Sequence, residues 1–159
     1  LGRLWRIVAH YASNMAAEEG QVDTSTLTKV ERELRRALHT TIKKVTEDIG
    51  ERHNFNTAIS SIMELVNTMY AVKDESSSLN STLVREVVSS LLRLLAPFAP
   101  HISEELWSET IGEGSVHKAS WPVVDESAIE LEEIEIVLQI NGKVREKIVV
   151  AIYSVFNPS

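Results

Sequence analysis

The chain has 159 residues, enough for one domain, with 43% hydrophobic and 25% charged residues and a formal net charge of −7 at pH 7. These proportions are ordinary for a globular protein and exclude a chain that is disordered throughout. The sequence contains no cysteine, which excludes disulfide bonds and thiolate metal sites and agrees with a reducing compartment.

Two helices are predicted in the first third of the chain. The first has apolar residues at helical spacing and is predicted to end near Gly20, a residue suited to the position after a helix. The second is predicted to begin at the Thr28-x-x-Glu31 capping box and to run to about Arg52. Their predicted apolar faces are Leu4, Val8, Tyr11, Ala12 and Met15, and then Val30, Leu34, Ala37, Leu38, Val45 and Ile49.

Three more helices are predicted before residue 112. Asn54 is suited to cap a third helix, and the polar, Ser-rich stretch from Lys73 to Ser81 predicts a solvated loop. A fourth helix must stop at Pro97, and Pro100 suits the first turn of a fifth helix that runs through Trp107. The predicted apolar faces of the third and fourth are Phe55, Ala58, Ile59, Ile62, Leu65, Val66 and Met69, and then Leu83, Val87, Leu91, Leu94 and Leu95.

The character of the sequence changes after Gly112. Ile134, Ile136, Leu138 and Ile140 alternate with Glu135, Val137 and Gln139, and Asn141-Gly142 is a strong signal for a tight hairpin turn. We therefore predict a mainly α protein, a bundle of about five helices followed by a short β-hairpin. The expected division is a helical bundle over 1–112, an acidic connector over 113–133, and a hairpin over 134–159 that starts a truncated C-terminal domain.

Familiar catalytic patterns are incomplete in the sequence. His101-x-x-Glu104-Glu105 resembles an inverted zinc-protease motif, but Glu105 stands where the second histidine is required. No Glu-x-x-His pair occurs, and Gly142-Lys143 lacks the other residues of a phosphate-binding loop. We therefore predict no catalytic residue, no metal site and no cofactor within this chain.

Basic residues form one narrow stripe on the second predicted helix, opposite its apolar face. Successive members lie roughly 5–6 Å apart, a spacing that suits a phosphate backbone. The pattern taken alone favours a solvated helix face with ordinary i,i+4 pairs, such as Lys43 with Glu47. The candidate RNA contacts are Arg32, Arg36, His39 and Lys43, with Lys44 beside them.

The net charge of −7 does not exclude an RNA partner, because the acidity is local. Residues 104–135 hold ten acids and one base, so 16 − 1 = 15 bases and 23 − 10 = 13 acids remain elsewhere, or +2. Weaker candidate contacts are Arg3 and Arg6 on the first helix. Lys143 and Arg145 form a further basic pair on the hairpin, where a polar strand edge that resists aggregation is the alternative interpretation.

Four ordered segments resemble a known family of enzymes. Residues 95–107, LAPFAPHISEELW, resemble a segment of the helical anticodon-binding domain that the leucyl, isoleucyl, valyl and methionyl members of the class I aminoacyl-tRNA synthetases share. Residues 39–49 (HTTIKKVTEDI), 55–60 (FNTAIS) and 137–145 (VLQINGKVR) resemble segments of the leucyl branch, in its bacterial form. The resemblance covers roughly residues 3–150.

This resemblance implies a tRNA-contacting domain of an enzyme that joins leucine to its tRNA with ATP and Mg²⁺. The HIGH and KMSKS segments and the editing insertion of such enzymes are missing, so the catalytic and editing domains would belong to the rest of the parent chain. Leucyl enzymes rely little on the anticodon bases, which implies contact with the RNA backbone and shape. We expect leucine tRNA as partner, a cytoplasmic location, a monomer and no membrane partner.

Two alternatives remain open from the sequence alone. An isoleucyl, valyl or methionyl domain would share the segment at 95–107 but would lack the Asn141-Gly142-Lys143 hairpin directly after the bundle. A non-catalytic helical interaction module would instead recruit a basic partner through the acidic connector, and it would not bind RNA.

Overall fold

The computed structural model of the protein describes residues 2–129, which form five α-helices of at least 11 residues. The helices are α1 (Gly2–Ala12), α2 (Lys29–Gly50), α3 (Phe55–Ala71), α4 (Ser81–Leu95) and α5 (Pro100–Thr110). Short stretches of 3₁₀ helix lie at Thr24–Thr26, Lys73–Ser78 and Val116–Lys118. The prediction of a mainly helical protein is confirmed, whereas the predicted hairpin, with its strands up to residue 150, lies outside the described residues.

The helix α2 begins where its capping box predicts. Thr28 Oγ1 accepts a hydrogen bond from the Glu31 backbone N–H at 3.2 Å, and Glu31 Oε1 accepts one from the Thr28 N–H at 2.8 Å. The second Glu31 oxygen accepts a hydrogen bond from the backbone N–H of Asn80, the residue that caps α4. One carboxylate therefore fixes the first turn of α2 and holds the starts of α2 and α4 side by side.

Replacing Thr28 with alanine is expected to lower the free energy of unfolding by about 1 kcal/mol, because the Glu31 N–H loses its partner. Urea denaturation followed by circular dichroism measures this change. Thr24→Ala is the matched control, since Thr24 is exposed and its side chain does not cap α2. A Thr28→Ala midpoint equal to that of the control would contradict the assigned cap.

The core lies between α4 and the helices around it. α4 is buried over most of its circumference, and α1, α2, α3 and α5 each pack against it. Within this core the Tyr11 hydroxyl donates to the Met69 carbonyl at 2.7 Å, and burial raises the pKa of Tyr11 above its ordinary range. The fully buried residues of α4 are Leu83, Val84, Val87, Val88, Leu91, Leu92 and Leu94.

The helix α1 ends at Ala12, eight residues before the predicted end near Gly20, so that prediction is wrong. The Asn14 amide donates to the carbonyls of Ser76 and Leu79 at 2.9 Å each, which turns the chain toward the start of α4. The predicted solvated loop after α3 is wrong in the same place, because its first part forms 3₁₀ helix and Ser76 is buried. Contacts distant in sequence therefore replace the local helical pattern.

The helix α3 is capped by Asn54 as predicted, with its side chain accepting from the Thr57 N–H at 3.3 Å. Its predicted apolar face is buried only in part. Phe55 is 52% exposed and Ile59 is 42% exposed, although both were expected in the core. In the described part of the chain, the ring of Phe98 is the aromatic neighbour of Phe55, at a centroid distance of 6.3 Å. The outer side of the first half of α3 is therefore left open.

Within residues 2–129, no helix combines the length and the apolar character needed to cross a lipid bilayer.

Candidate nucleic-acid interface

The predicted basic stripe is a partly covered side of α2. Lys43 and Lys44 are exposed, and Arg32 and Arg36 are half-buried. His39 is buried, with 4% of its surface exposed. Arg32 Nη1 also donates to the Leu27 carbonyl at 2.8 Å, which directs that side chain back toward the start of the helix. The C-terminal half of the stripe therefore carries the exposed lysines, and the N-terminal half carries the half-buried arginines.

Residues 113–129 are here called the acidic segment, and the part from Trp121 onward packs against the same side of α2. Trp121 Nε1 donates to Thr46 Oγ1 at 2.9 Å, and Glu126 Oε2 lies 3.2 Å from Lys43 Nζ. At the start of this segment, Trp107 Nε1 donates to the Glu113 carbonyl at 2.9 Å. Two carboxylates of the predicted connector, Asp125 and Glu126, thus lie beside cations of α2 and weaken the positive potential that this side presents.

His39 joins α2 to both α4 and the acidic segment. The Asp125 backbone N–H donates to His39 Nδ1 at 2.9 Å, so Nδ1 carries the lone pair. The ring proton then resides on Nε2, which faces Glu86 Oε1 at 3.3 Å and donates to it. This tautomer satisfies both ring nitrogens, and the side chain serves to position the elements around it in this structure.

Arg35 forms the centre of an ionic cluster that the sequence analysis missed. Its Nε lies 3.1 Å from Glu86 Oε1, and its Nη2 lies 3.1 Å from Asp125 Oδ2. Burial alone would raise the pKa of Glu86, but the hydrogen bond from His39 and the charge of Arg35 hold it below its ordinary value. A hydrogen bond from Ser127 and the contact with Arg35 lower the pKa of Asp125. Both carboxylates are therefore ionised at neutral pH.

The only signal for Arg35 in the sequence is its position between Leu34 and Leu38 on the buried side of α2. A cation at such a position must find a buried partner, because an unpaired charge there is costly. The pattern does not say which carboxylate fills that role, since Glu86 and Asp125 are 51 and 90 residues away in sequence.

Two arginines of α4 form hydrogen bonds to the segments that follow α1 and α5. Arg85 is buried, and its Nη1 donates to the carbonyls of Ala16 and Ala17 at 3.1 Å each. Arg93 Nη1 donates to the Ser120 carbonyl at 2.9 Å, and burial lowers the pKa of Arg93 from its ordinary value. The two arginines, together with Glu86 and His39, line a cleft of about 280 Å³ between the segment after α1 and the segment after α5. Their polar atoms stabilise the bundle.

The weaker candidates on α1 differ from each other. Arg3 places its guanidinium carbon 4.6 Å from the ring centroid of Tyr70 and donates to Asn67 Oδ1, so α3 holds it in place. Arg6 is exposed on the same helix. The two hairpin candidates, Lys143 and Arg145, lie outside the described residues. Within residues 2–129 no group of three or more His, Asp or Glu side chains is placed to hold a metal ion.

Comparisons with known proteins match most of the chain. A family model described as the anticodon-binding domain of tRNA ligase matches residues 31–153. The chain is 46% identical over 151 residues to a leucine–tRNA ligase from Geobacter sp. (strain M21), which covers 95% of this chain and 18% of that relative.

A solved structure is similar over most of the bundle. It is the crystal structure of the ternary complex of Agrobacterium radiobacter K84 LeuRS, tRNA and LeuAMS, with a TM-score of 0.69 and 32% identity. The match covers 80% of this chain and 16% of that one. The chain therefore spans less than a fifth of the length of these relatives.

Proposed function

The chain belongs to the anticodon-binding domain family of tRNA ligases, and we propose that it holds leucine tRNA for aminoacylation by the remainder of a leucine–tRNA ligase. The observation that carries the proposal is the 46% identity to the Geobacter enzyme across 95% of this chain. The fold supports it, because a bundle similar to this one occurs in a LeuRS of known structure whose complex contains tRNA.

We propose that the RNA is bound through its backbone and not through base edges. Lys43 and Lys44 are exposed on one side of α2, and Arg6 is exposed on α1. Lysine and arginine side chains on helices contact phosphates without reading sequence. The further contact candidates are Arg32, Arg36 and Arg3, with Lys143 and Arg145 on the hairpin segment, whereas His39 positions the acidic segment from within.

The aminoacylation reaction and the cellular location belong to the whole parent enzyme in this proposal. The parent ligase would use ATP and Mg²⁺ in a catalytic domain of its own, and an editing domain would lie elsewhere in the same chain. This chain supplies neither function in the proposal, and its only substrate contact is with leucine tRNA. We propose a cytoplasmic, monomeric parent enzyme.

Titration of leucine tRNA with the chain at several salt concentrations tests the proposal. Arg36→Ala and Lys43→Ala are each expected to weaken binding and to reduce the salt slope by about 1, since each removes one phosphate contact. Arg52→Ala is the control, because Arg52 follows the end of α2, is not among the candidate contacts and lies 3.9 Å from Glu47. Equal affinities and slopes for the stripe variants and wild type would overturn the assignment of the stripe.

A second variant is expected to change the affinity for leucine tRNA in the opposite direction. Glu126 pairs with Lys43 at 3.2 Å, so Glu126→Gln releases the lysine for a phosphate. We expect this variant to raise the affinity for leucine tRNA by a few-fold at low salt. A fall in affinity would show that Glu126 supports the interface and does not compete with the RNA.

A further inference from the structure

An exposed apolar stripe runs along the first half of α3. Phe55, Ile59 and Met63 are four residues apart on one face and expose 52%, 42% and 37% of their surface. They extend over about 12 Å of the helix axis. Single exposed apolar residues are common on protein surfaces, but a contiguous row is typical of an interaction surface. These three residues are called the α3 stripe.

The α3 stripe continues onto the corner between α4 and α5. The rings of Phe55 and Phe98 meet edge to face, with centroids 6.3 Å apart and an interplanar angle of 68°. Phe98 is half-buried and packs on the core, so it holds the more exposed ring of Phe55 in place. An ordered aromatic ring beside aliphatic side chains presents a preformed contact, which costs little entropy to bury.

The charges of α3 favour a protein partner over a nucleic acid. From Phe55 to Ala71 the helix carries no lysine and no arginine, and its one charged residue is Glu64. A phosphate backbone requires cations nearby, and an acid on the same helix repels it. An apolar surface of another protein domain has no such requirement.

We propose that the α3 stripe is the surface on which another domain of the parent ligase packs through an apolar patch of its own. The inference rests on the proposed function, because the chain corresponds to 18% of the Geobacter ligase and the rest of that polypeptide supplies the covering domain. Covalent linkage gives such a domain a high effective concentration, so a contact of modest area is enough to keep it in place.

The rate of methionine oxidation tests the proposal without any amino-acid substitution. Met63 is 37% exposed, while Met69 on the same helix is fully buried and serves as the internal control. Hydrogen peroxide is expected to oxidise Met63 quickly in the 159-residue chain, and about tenfold more slowly in the parent ligase, where the other domain covers it. Mass spectrometry of the peptides gives both rates, and Met69 should react slowly in each protein.

The other possible occupants give different results. Equal Met63 rates in the chain and in the parent ligase would overturn the proposal. So would protection in the isolated chain that grows with its concentration, which assigns the stripe to a second copy. Protection that appears only when leucine tRNA is added would assign it to RNA. The RNA titration uses cations of α2, so failure of the proposed function is observed separately from failure of this inference.

A pair of variants adds a causal test in the parent ligase. Ile59→Asp places a charge in the middle of the α3 stripe and is expected to restore Met63 oxidation to within about twofold of its rate in the isolated chain. Val123→Asp is the matched control, because Val123 lies outside the α3 stripe and is 83% exposed. Unchanged protection of Met63 in Ile59→Asp would overturn the proposal.

Discussion

Replacing Trp107 with alanine is expected to lower the free energy of unfolding by about 4 kcal/mol, as for other large buried aromatic residues. The indole is 6% exposed and belongs to the core cluster. Its Nε1 also donates to the Glu113 carbonyl at 2.9 Å, at the point where the chain leaves α5. The alanine variant creates a cavity and removes this anchor of the acidic segment. Urea denaturation followed by circular dichroism gives the change.

Two further variants separate packing from the hydrogen bond. Trp107→Phe keeps most of the ring but loses the N–H, so an intermediate loss of about 1–3 kcal/mol is expected. Trp121→Ala removes a half-buried indole whose Nε1 donates to Thr46 Oγ1, and its cost should be smaller than that of Trp107→Ala. A Trp107→Ala variant as stable as Trp121→Ala would show that the corner between α5 and the acidic segment does not depend on this side chain.

Those parts of the fold that follow from local chemistry were predictable. Thr28 and Glu31 cap a helix through atoms three residues apart, so the signal for this helix start lies within four consecutive residues. Pro97 and Pro100 fix the end of α4 and the start of α5, because proline lacks an amide donor and restricts the residue before it. These features require no knowledge of the neighbouring helices.

Features that depend on distant neighbours were not predictable. The end of α1 is set by hydrogen bonds from Asn14 to the carbonyls of Ser76 and Leu79, more than 60 residues away. Likewise, helical spacing placed Phe55 and Ile59 on the apolar face of α3, but spacing does not reveal whether another element covers that face. The same limit applies to any single amphipathic helix.

The candidate site contains both predictable and unpredictable features. Helical spacing correctly placed Lys43 and Lys44 on an exposed side of α2. It also placed His39 in the exposed stripe, whereas tertiary packing buries that ring under the backbone of Asp125. Arg35 was overlooked because its carboxylate partners come from α4 and the acidic segment. Charge spacing on one helix therefore identifies cations but not the ones that the fold neutralises.

Replacing Arg35 with methionine is expected to lower the free energy of unfolding by about 3 kcal/mol, near the lower end of the range for breaking a buried ion pair. The change keeps the apolar stem but leaves Glu86 and Asp125 without their shared cation. The side chain of Arg35 is 10% exposed, whereas that of Asp125 is 40% exposed, so water compensates part of the loss. A double variant, Arg35→Met with Glu86→Leu, should recover part of this loss, because the more buried of the two carboxylates is then absent. The recovery is incomplete, since Asp125 still lacks its cation and the His39 Nε2–H loses its acceptor.

The pH dependence tests whether the charges of Glu86 and Asp125 are the cause, because Arg35 lowers the pKa of both carboxylates. The pKa of Glu86 in the folded protein lies below its ordinary value of 4.5, so its contribution is complete above that pH and is lost as the pH falls through the lower, folded value. The advantage of wild type over Arg35→Met should therefore be constant near neutral pH and shrink below about 4.5. Glu51→Gln, which removes an exposed carboxylate after α2, is the control variant. If the advantage of wild type stays constant into acid, Arg35 stabilises the bundle through packing and not through its charge.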